Sequence, residues 1–264
     1  MERTDGKVLA SVADGVGEIT FNQPEKRNAI SIEMWQALGE ILDEYAADPD
    51  VRAAVLAGAG EKAFASGADI SQFAKNRASA DAQVEYERQT RAAREKLTSF
   101  PKPLIARIRG YCLGGGLGVA IKADLRIASS DSSFGIPAAR LGLAYGFEAV
   151  KSLVELVGPA NARMILYTGA RIDAAEALRI GLVNRVVAPA ELSGEVARLA
   201  RELAENAPLS IAAAKRGIAT VLEDPAVRDL EALERAARLC FDSHDYREGR
   251  TAFMEKRRPR FIGS

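Results

Sequence analysis

The chain has 264 residues, long enough for one large domain or two unequal ones built round a real core. Its 36 basic and 36 acidic side chains cancel, which argues against a general nucleic-acid surface, since that needs a basic excess to displace counterions. One histidine, His244, and two distant cysteines, Cys112 and Cys240, exclude H-E-x-x-H chemistry, zinc ribbons and a disulfide framework, so no metal site is expected.

Hydrophobic residues at 48% and charged residues at 27% are globular values. The first residues carry acids with no apolar stretch behind them, and no apolar run approaches the ~20 residues a bilayer needs. The expectation is a cytoplasmic protein that does not touch a membrane.

Apolar and polar residues alternate over 7–22 around Asp14-Gly15, which predicts a hairpin with Val8, Ala10 and Val12 on one face. Ser31 stands where an N-cap belongs, ahead of Met34, Leu38, Ile41 and Leu42 at helical spacing. Residues 51–57 read as a buried strand, and 79–99 as a helix that stops before Pro101 and Pro103. Residues 104–108 form the next strand, 117–123 a helix and 124–128 another strand, an alternation that implies α/β units and largely parallel pairing.

From about residue 147 helices take over, with Val150, Leu153, Val154 and Val157, then 160–167, then 173–179. One strand, 182–187, interrupts them. Beyond it, Leu192, Val196, Leu199 and Leu203, and then Ile211, Ala214, Ile218 and Val221, recur at helical spacing. The expected organisation is an α/β body over 1–195 and a helical region over 196–264.

Two glycine segments bear on chemistry. Gly58-Ala59-Gly60-Glu61-Lys62-Ala63 matches the dinucleotide pattern G-x-G-x-x-A, but Gly67 spoils the helix that must open next. The run Gly110-Tyr111-Cys112-Leu113-Gly114-Gly115-Gly116-Leu117-Gly118 turns a strand into a helix and bares backbone N–H groups at a positive helix end. Such a run either binds an oxyanion or merely lets backbones pack closely.

Five stretches in order resemble the enoyl-CoA hydratase/isomerase (crotonase) family: Asn22 to Ile30 with its Asn-Gln-Pro-Glu-Lys-Arg-Asn-Ala-Ile, Ala63-Phe64-Ala65-Ser66-Gly67-Ala68-Asp69-Ile70, the glycine run, Ala123-Asp124-Leu125-Arg126-Ile127-Ala128, and Arg247-Glu248-Gly249-Arg250-Thr251-Ala252-Phe253. The resemblance implies an α/β fold, a crotonase-like spiral of ββα units with a helical C-terminal region that builds a homotrimer or a dimer of trimers. It also implies that two backbone N–H groups, here those of Ala68 and Gly115, polarise an acyl-CoA thioester and hold its enolate. Donors aimed at charge that develops only during reaction lower the barrier selectively.

By the same matching, Lys26, Ala68, Asp69, Ile70 and Gly115 lie where the family holds coenzyme A, which enters as part of the substrate; no tightly bound cofactor is implied. Lys26 reads equally as a solvated loop charge. Over 247–261, six basic residues stand against two acids, a charge excess suited to CoA phosphates or to a solvated helix face.

The chain departs from the family at the two hydratase glutamates, whose positions hold Gly118 and Ala138. Water addition needs a base for the water and an acid for the α-carbon, so isomerisation or decarboxylation fits better than hydration. Tyr145 and Glu148 are the candidate acid/base groups, although a carboxylate at a helix start is also stabilised there by the dipole. Arg140 also lies in that segment. Ser66 lacks a nucleophile elbow, Cys112 reads as a small buried hydrophobe, and His244 reads as a helix cap. The alternative is a non-catalytic acyl-CoA-binding member of the family.

Overall fold

The computed structural model describes residues 2–69 and 80–264. Strands β1 (Glu2–Arg3), β2 (Val8–Ala13) and β3 (Val16–Phe21) open the chain, with the predicted turn at Asp14 and Gly15, both at positive φ. Val8 and Ala10 are buried as expected; Val12, near the hairpin tip, is 43% exposed because nothing covers that end of the face. Helix α1 (Ile32–Ala47) starts at Ser31, whose hydroxyl accepts the Met34 N–H, and buries Met34, Leu38, Ile41 and Leu42.

The body then repeats a unit. Strand β4 (Ala53–Gly58) is followed by the short β5 (Ala63–Ala65), and helix α2 (Ala80–Ser99) leads to β6 (Leu104–Ile108) and β7 (Tyr111–Leu113). Helix α3 (Gly115–Ala120) leads in turn to β8 (Leu125–Ser129) and β9 (Ser133–Gly135). Each turn of the spiral gives its first strand to a larger sheet and its second to a smaller one. Helix α4 (Phe147–Thr168), β10 (Ile172–Asp173), α5 (Ala174–Arg179) and β11 (Arg185–Val187) close the two sheets.

Among the described residues the larger sheet runs β1-β2-β3-β4-β6-β8-β11, parallel from β3 onward, and the smaller runs β10-β9-β7-β5. The Phe21 and Phe64 rings meet edge to face at 6.0 Å where the sheets approach. Arg126 is buried at the end of the spiral, donating to the Leu182 and Ala123 carbonyls, and burial lowers its pKa to about 10.

The segment from Gly58 to Ala63 joins two strands and opens no helix, in keeping with the rejection of the dinucleotide pattern. Helix α3 differs from expectation: it begins two residues before Leu117 and ends at Ala120, because the glycines themselves form its first turn. The helical signals at 150–157 and 160–167 fall on two helical segments of α4 that meet at Gly158, which is non-helical at φ 75° and ψ 161°.

Helices α6 (Leu192–Glu205), α7 (Pro208–Leu222), α8 (Leu230–Asp242) and α9 (His244–Glu255) finish the chain. Helix α6 lays Leu192, Val196 and Ala200 on Val55, Ile105 and Ile127 of the larger sheet. The α7 stripe behaves differently: Ile218 and Val221 are 67% and 68% exposed, since nothing in a single chain covers that face. No helix among the described residues is long and apolar enough to cross a membrane.

Candidate active site

The predicted donors Ala68 and Gly115 come together where β5 and β7 end. Ile30 bridges Ala68 in parallel, donating its N–H to Gly67 O at 2.8 Å and accepting from Asp69 N at 3.2 Å. This grip uses the groups on either side of Ala68 and leaves the Ala68 N–H with no acceptor among the described residues. Gly67 makes the bend at φ 117°, a conformation L side chains rarely adopt.

On the facing segment, the Gly114 N–H donates to Gly135 O at 2.8 Å and the Gly114 carbonyl accepts the first helical bond, from Gly118 N at 3.0 Å. Gly115 is then the first residue of α3, where an N–H has no partner inside the helix. A Cβ placed on Gly115 would lie 3.6 Å from Ala68 N, so the two free donors face one small space. A Cβ on Gly116 would overlap the Ala65 carbonyl, so the glycines serve close packing as well as exposing N–H groups. Close packing is thus seen at Gly116, next to the bare N–H of Gly115.

The positions of the two hydratase glutamates are nearly bare. A Cβ on Gly118 would meet nothing within 4 Å, and Ala138 is 6% exposed in the 3-10 turn Pro137–Leu141. The Tyr145 hydroxyl lies 4.0 Å from the Cβ position of Gly114, which brings it to the donor corner. Glu148 is exposed in the first turn of α4, whose N-cap, Gly146, offers no side chain. A carboxylate there meets the positive helix end.

A pattern for the enoyl-CoA hydratase/isomerase family matches residues 11–264. The chain belongs to that family. It is 36% identical over 243 residues to a short-chain-enoyl-CoA hydratase of Clostridium acetobutylicum, covering 92% of each chain, and 37% identical over 259 residues to a crotonyl-CoA hydratase of Syntrophomonas wolfei, covering 97% of each. Its fold superposes on an enoyl-CoA hydratase/carnithine racemase from Magnetospirillum magneticum with a TM-score of 0.94, at 34% identity and over 99% of this chain and 97% of that one. The protein is therefore a crotonase-fold member of a family that acts on acyl-CoA thioesters.

Within this family member, Lys26 and Asp69 sit together as an ion pair of 3.0 Å that ties the 3-10 turn Pro24–Lys26 to the loop carrying Ala68. Lys26 is thus neither a lone solvated charge nor an unengaged cation. Ile70 lies outside the described residues. Asn28 is buried behind the corner: its Oδ1 accepts from Gln23 N, and its Nδ2 donates to the Ala59 and Ala63 carbonyls at 2.9 and 2.7 Å. That explains why an amide sits there.

The remaining candidates fall away from the corner. Cys112 is buried in β7 and burial pushes its thiol up, away from reactivity. Arg140 donates Nε to Thr168 O at the end of α4. The cap of α9 is Ser243, not His244: its hydroxyl accepts from Tyr246 N, and His244 is the first helical residue. In the basic stretch, Arg257 is engaged by Glu248 and Glu255, so the local excess is smaller as a field than as a count. Sequence reading missed Lys122, whose Nζ donates to Ser152 Oγ at 2.8 Å; the one signal was a lysine ending the apolar run after Gly118.

Proposed function

We propose that the protein turns over an acyl-CoA thioester by holding its enolate on the N–H groups of Ala68 and Gly115, in an isomerisation or decarboxylation rather than a hydration. The observation that carries this is two N–H groups with no acceptor among the described residues facing one space, with Gly118 and Ala138 at the positions of the two hydratase glutamates. In a decarboxylation the bond from the α-carbon to the leaving carboxylate breaks, and its electron pair becomes the enolate that the two donors stabilise. Carbon dioxide leaves, and the α-carbon then takes a proton. Tyr145 and Glu148 are the groups assigned to handle that proton. Lys26, Ala68, Asp69 and Gly115 are the described residues assigned to hold coenzyme A, which arrives with the substrate and leaves with the product.

The exposed apolar residues of the C-terminal helices support a homotrimer or a dimer of trimers. Phe253 and Met254 on α9 are 84% and 80% exposed, and burying such side chains is worth about 1.5–3 kcal/mol each.

The test is incubation with enoyl-, dienoyl- and malonyl-type CoA thioesters, with products followed by mass. A double-bond shift or loss of carbon dioxide is the expected outcome. Tight binding without turnover of any thioester would instead identify a non-catalytic acyl-CoA-binding protein, and failure to bind CoA would overturn both. Tyr145→Phe and Glu148→Gln then identify the proton-handling group, because its loss lowers kcat by about 10²–10⁴ while the other variant leaves kcat near that of the parent.

A further inference from the structure

Residues 114–122, which include α3, and residues 145–152, which open α4, approach each other at two places. At one end the Tyr145 hydroxyl lies at Gly114; at the other the Lys122 ammonium donates to Ser152. At helical rise, the chain between these places covers roughly 10–12 Å on either side. Gly118 lies midway and leaves open space where a side chain would stand. The open space at Gly118 therefore lies along the segment between the Gly115 donor and Lys122.

The charges round that far end do not balance. The groups acting on Lys122 are Glu148, Glu155, Lys151 and Arg94. Lys151 and Glu155 pair with each other at 3.8 Å, and Arg94 lies over the Trp35 and Tyr86 rings at 5.2 and 5.9 Å. Among the described residues, Lys122 and Arg94 are left against Glu148 alone, a surplus of one positive charge. The ammonium has three donors, and Ser152, which spends its own proton on the Glu148 carbonyl at 2.8 Å, is its one hydrogen-bond partner among the described residues. Burial lowers the proton affinity of this half-buried amine, a cost that an incoming anion would offset.

We propose that Lys122 is a specificity residue that takes a carboxylate at the far end of a short acyl group, so that this site prefers CoA monothioesters of dicarboxylic acids. The inference rests on the acyl-CoA reading above. Acyl groups of roughly four to six carbons are the lengths to compare over the distance between those two places. The carboxylate supplies the missing negative charge through a charge-assisted hydrogen bond.

Calorimetric titration of the wild-type protein and of Lys122→Met with succinyl-, glutaryl- and adipoyl-CoA, each beside the neutral thioester of equal length, tests this. The wild type is expected to bind at least one dicarboxylic thioester about tenfold or more tightly than its neutral counterpart. Lys122→Met should abolish that preference and leave the Kd of the neutral thioester unchanged, while Lys122→Arg keeps it. Lys122→Gln serves in place of the methionine variant should that fail to fold. Equal affinity for charged and neutral thioesters in the wild type, or a preference that survives the loss of the ammonium, overturns the proposal. Neutral thioesters that bind in those cases leave the acyl-CoA reading standing; a protein that binds none of the thioesters loses both.

Discussion

The two walls of the candidate site are built on opposite principles. On the donor wall, glycines and a single bridge to Ile30 fix two backbone N–H groups, and Gly116 seats directly on the Ala65 carbonyl. Along the other, Gly118 leaves a gap, with Tyr145 near Gly114 before it and Lys122 on Ser152 beyond it. Electrostatic stabilisation by backbone needs rigidity and no side chains, whereas the choice of reaction and substrate rests on side chains that can change without disturbing the fold.

Breaking the donor wall should have the largest effect. Gly115→Pro removes one N–H at a position where proline suits a helix start, so a folded variant is expected with turnover lowered by about 10²–10³. Steady-state kinetics with any thioester the protein turns over checks this, and an unchanged kcat removes Gly115 from the mechanism. Rebuilding the second wall sharpens the contrast from the other side. Gly118→Glu with Ala138→Glu should create crotonyl-CoA hydration where the parent has little, a gain of about 10²-fold or more read from loss of the conjugated thioester absorbance. No gain in a folded variant would mean that the bare wall is not what limits hydration.

The smallest effect concerns the support behind the donors. Asn28→Ala leaves the buried Gln23 N–H and the Ala59 and Ala63 carbonyls without their partner, and about 1–3 kcal/mol of stability should be lost. Urea unfolding measures it, and a loss below ~0.5 kcal/mol would show that the amide is dispensable.

Much of the body was legible in the sequence because local chemistry and tertiary role agree there. Asp14-Gly15 turns, Ser31 caps, and Leu38 and Ile41 are buried as their spacing requires. The smaller sheet was not legible: β5, β7 and β9 are three residues each, too short to show a two-residue period. The donors were located through family resemblance, since a backbone N–H leaves no mark of its own in a sequence. Lys122 escaped for a related reason: a lysine at the end of an apolar run reads as a solvated terminus until Ser152 and Gly118 are seen beside it.

The Ile30 bridge has a dynamic consequence. Ile30 immediately precedes Ser31, the cap of α1, so the residue that orients the Ala68 donor is anchored by the start of that helix. Fraying of α1 at its first turn would release Gly67 and Asp69 and let Ala68 rotate away. Opening of one helix end, short of unfolding the whole chain, is then enough to displace the donor.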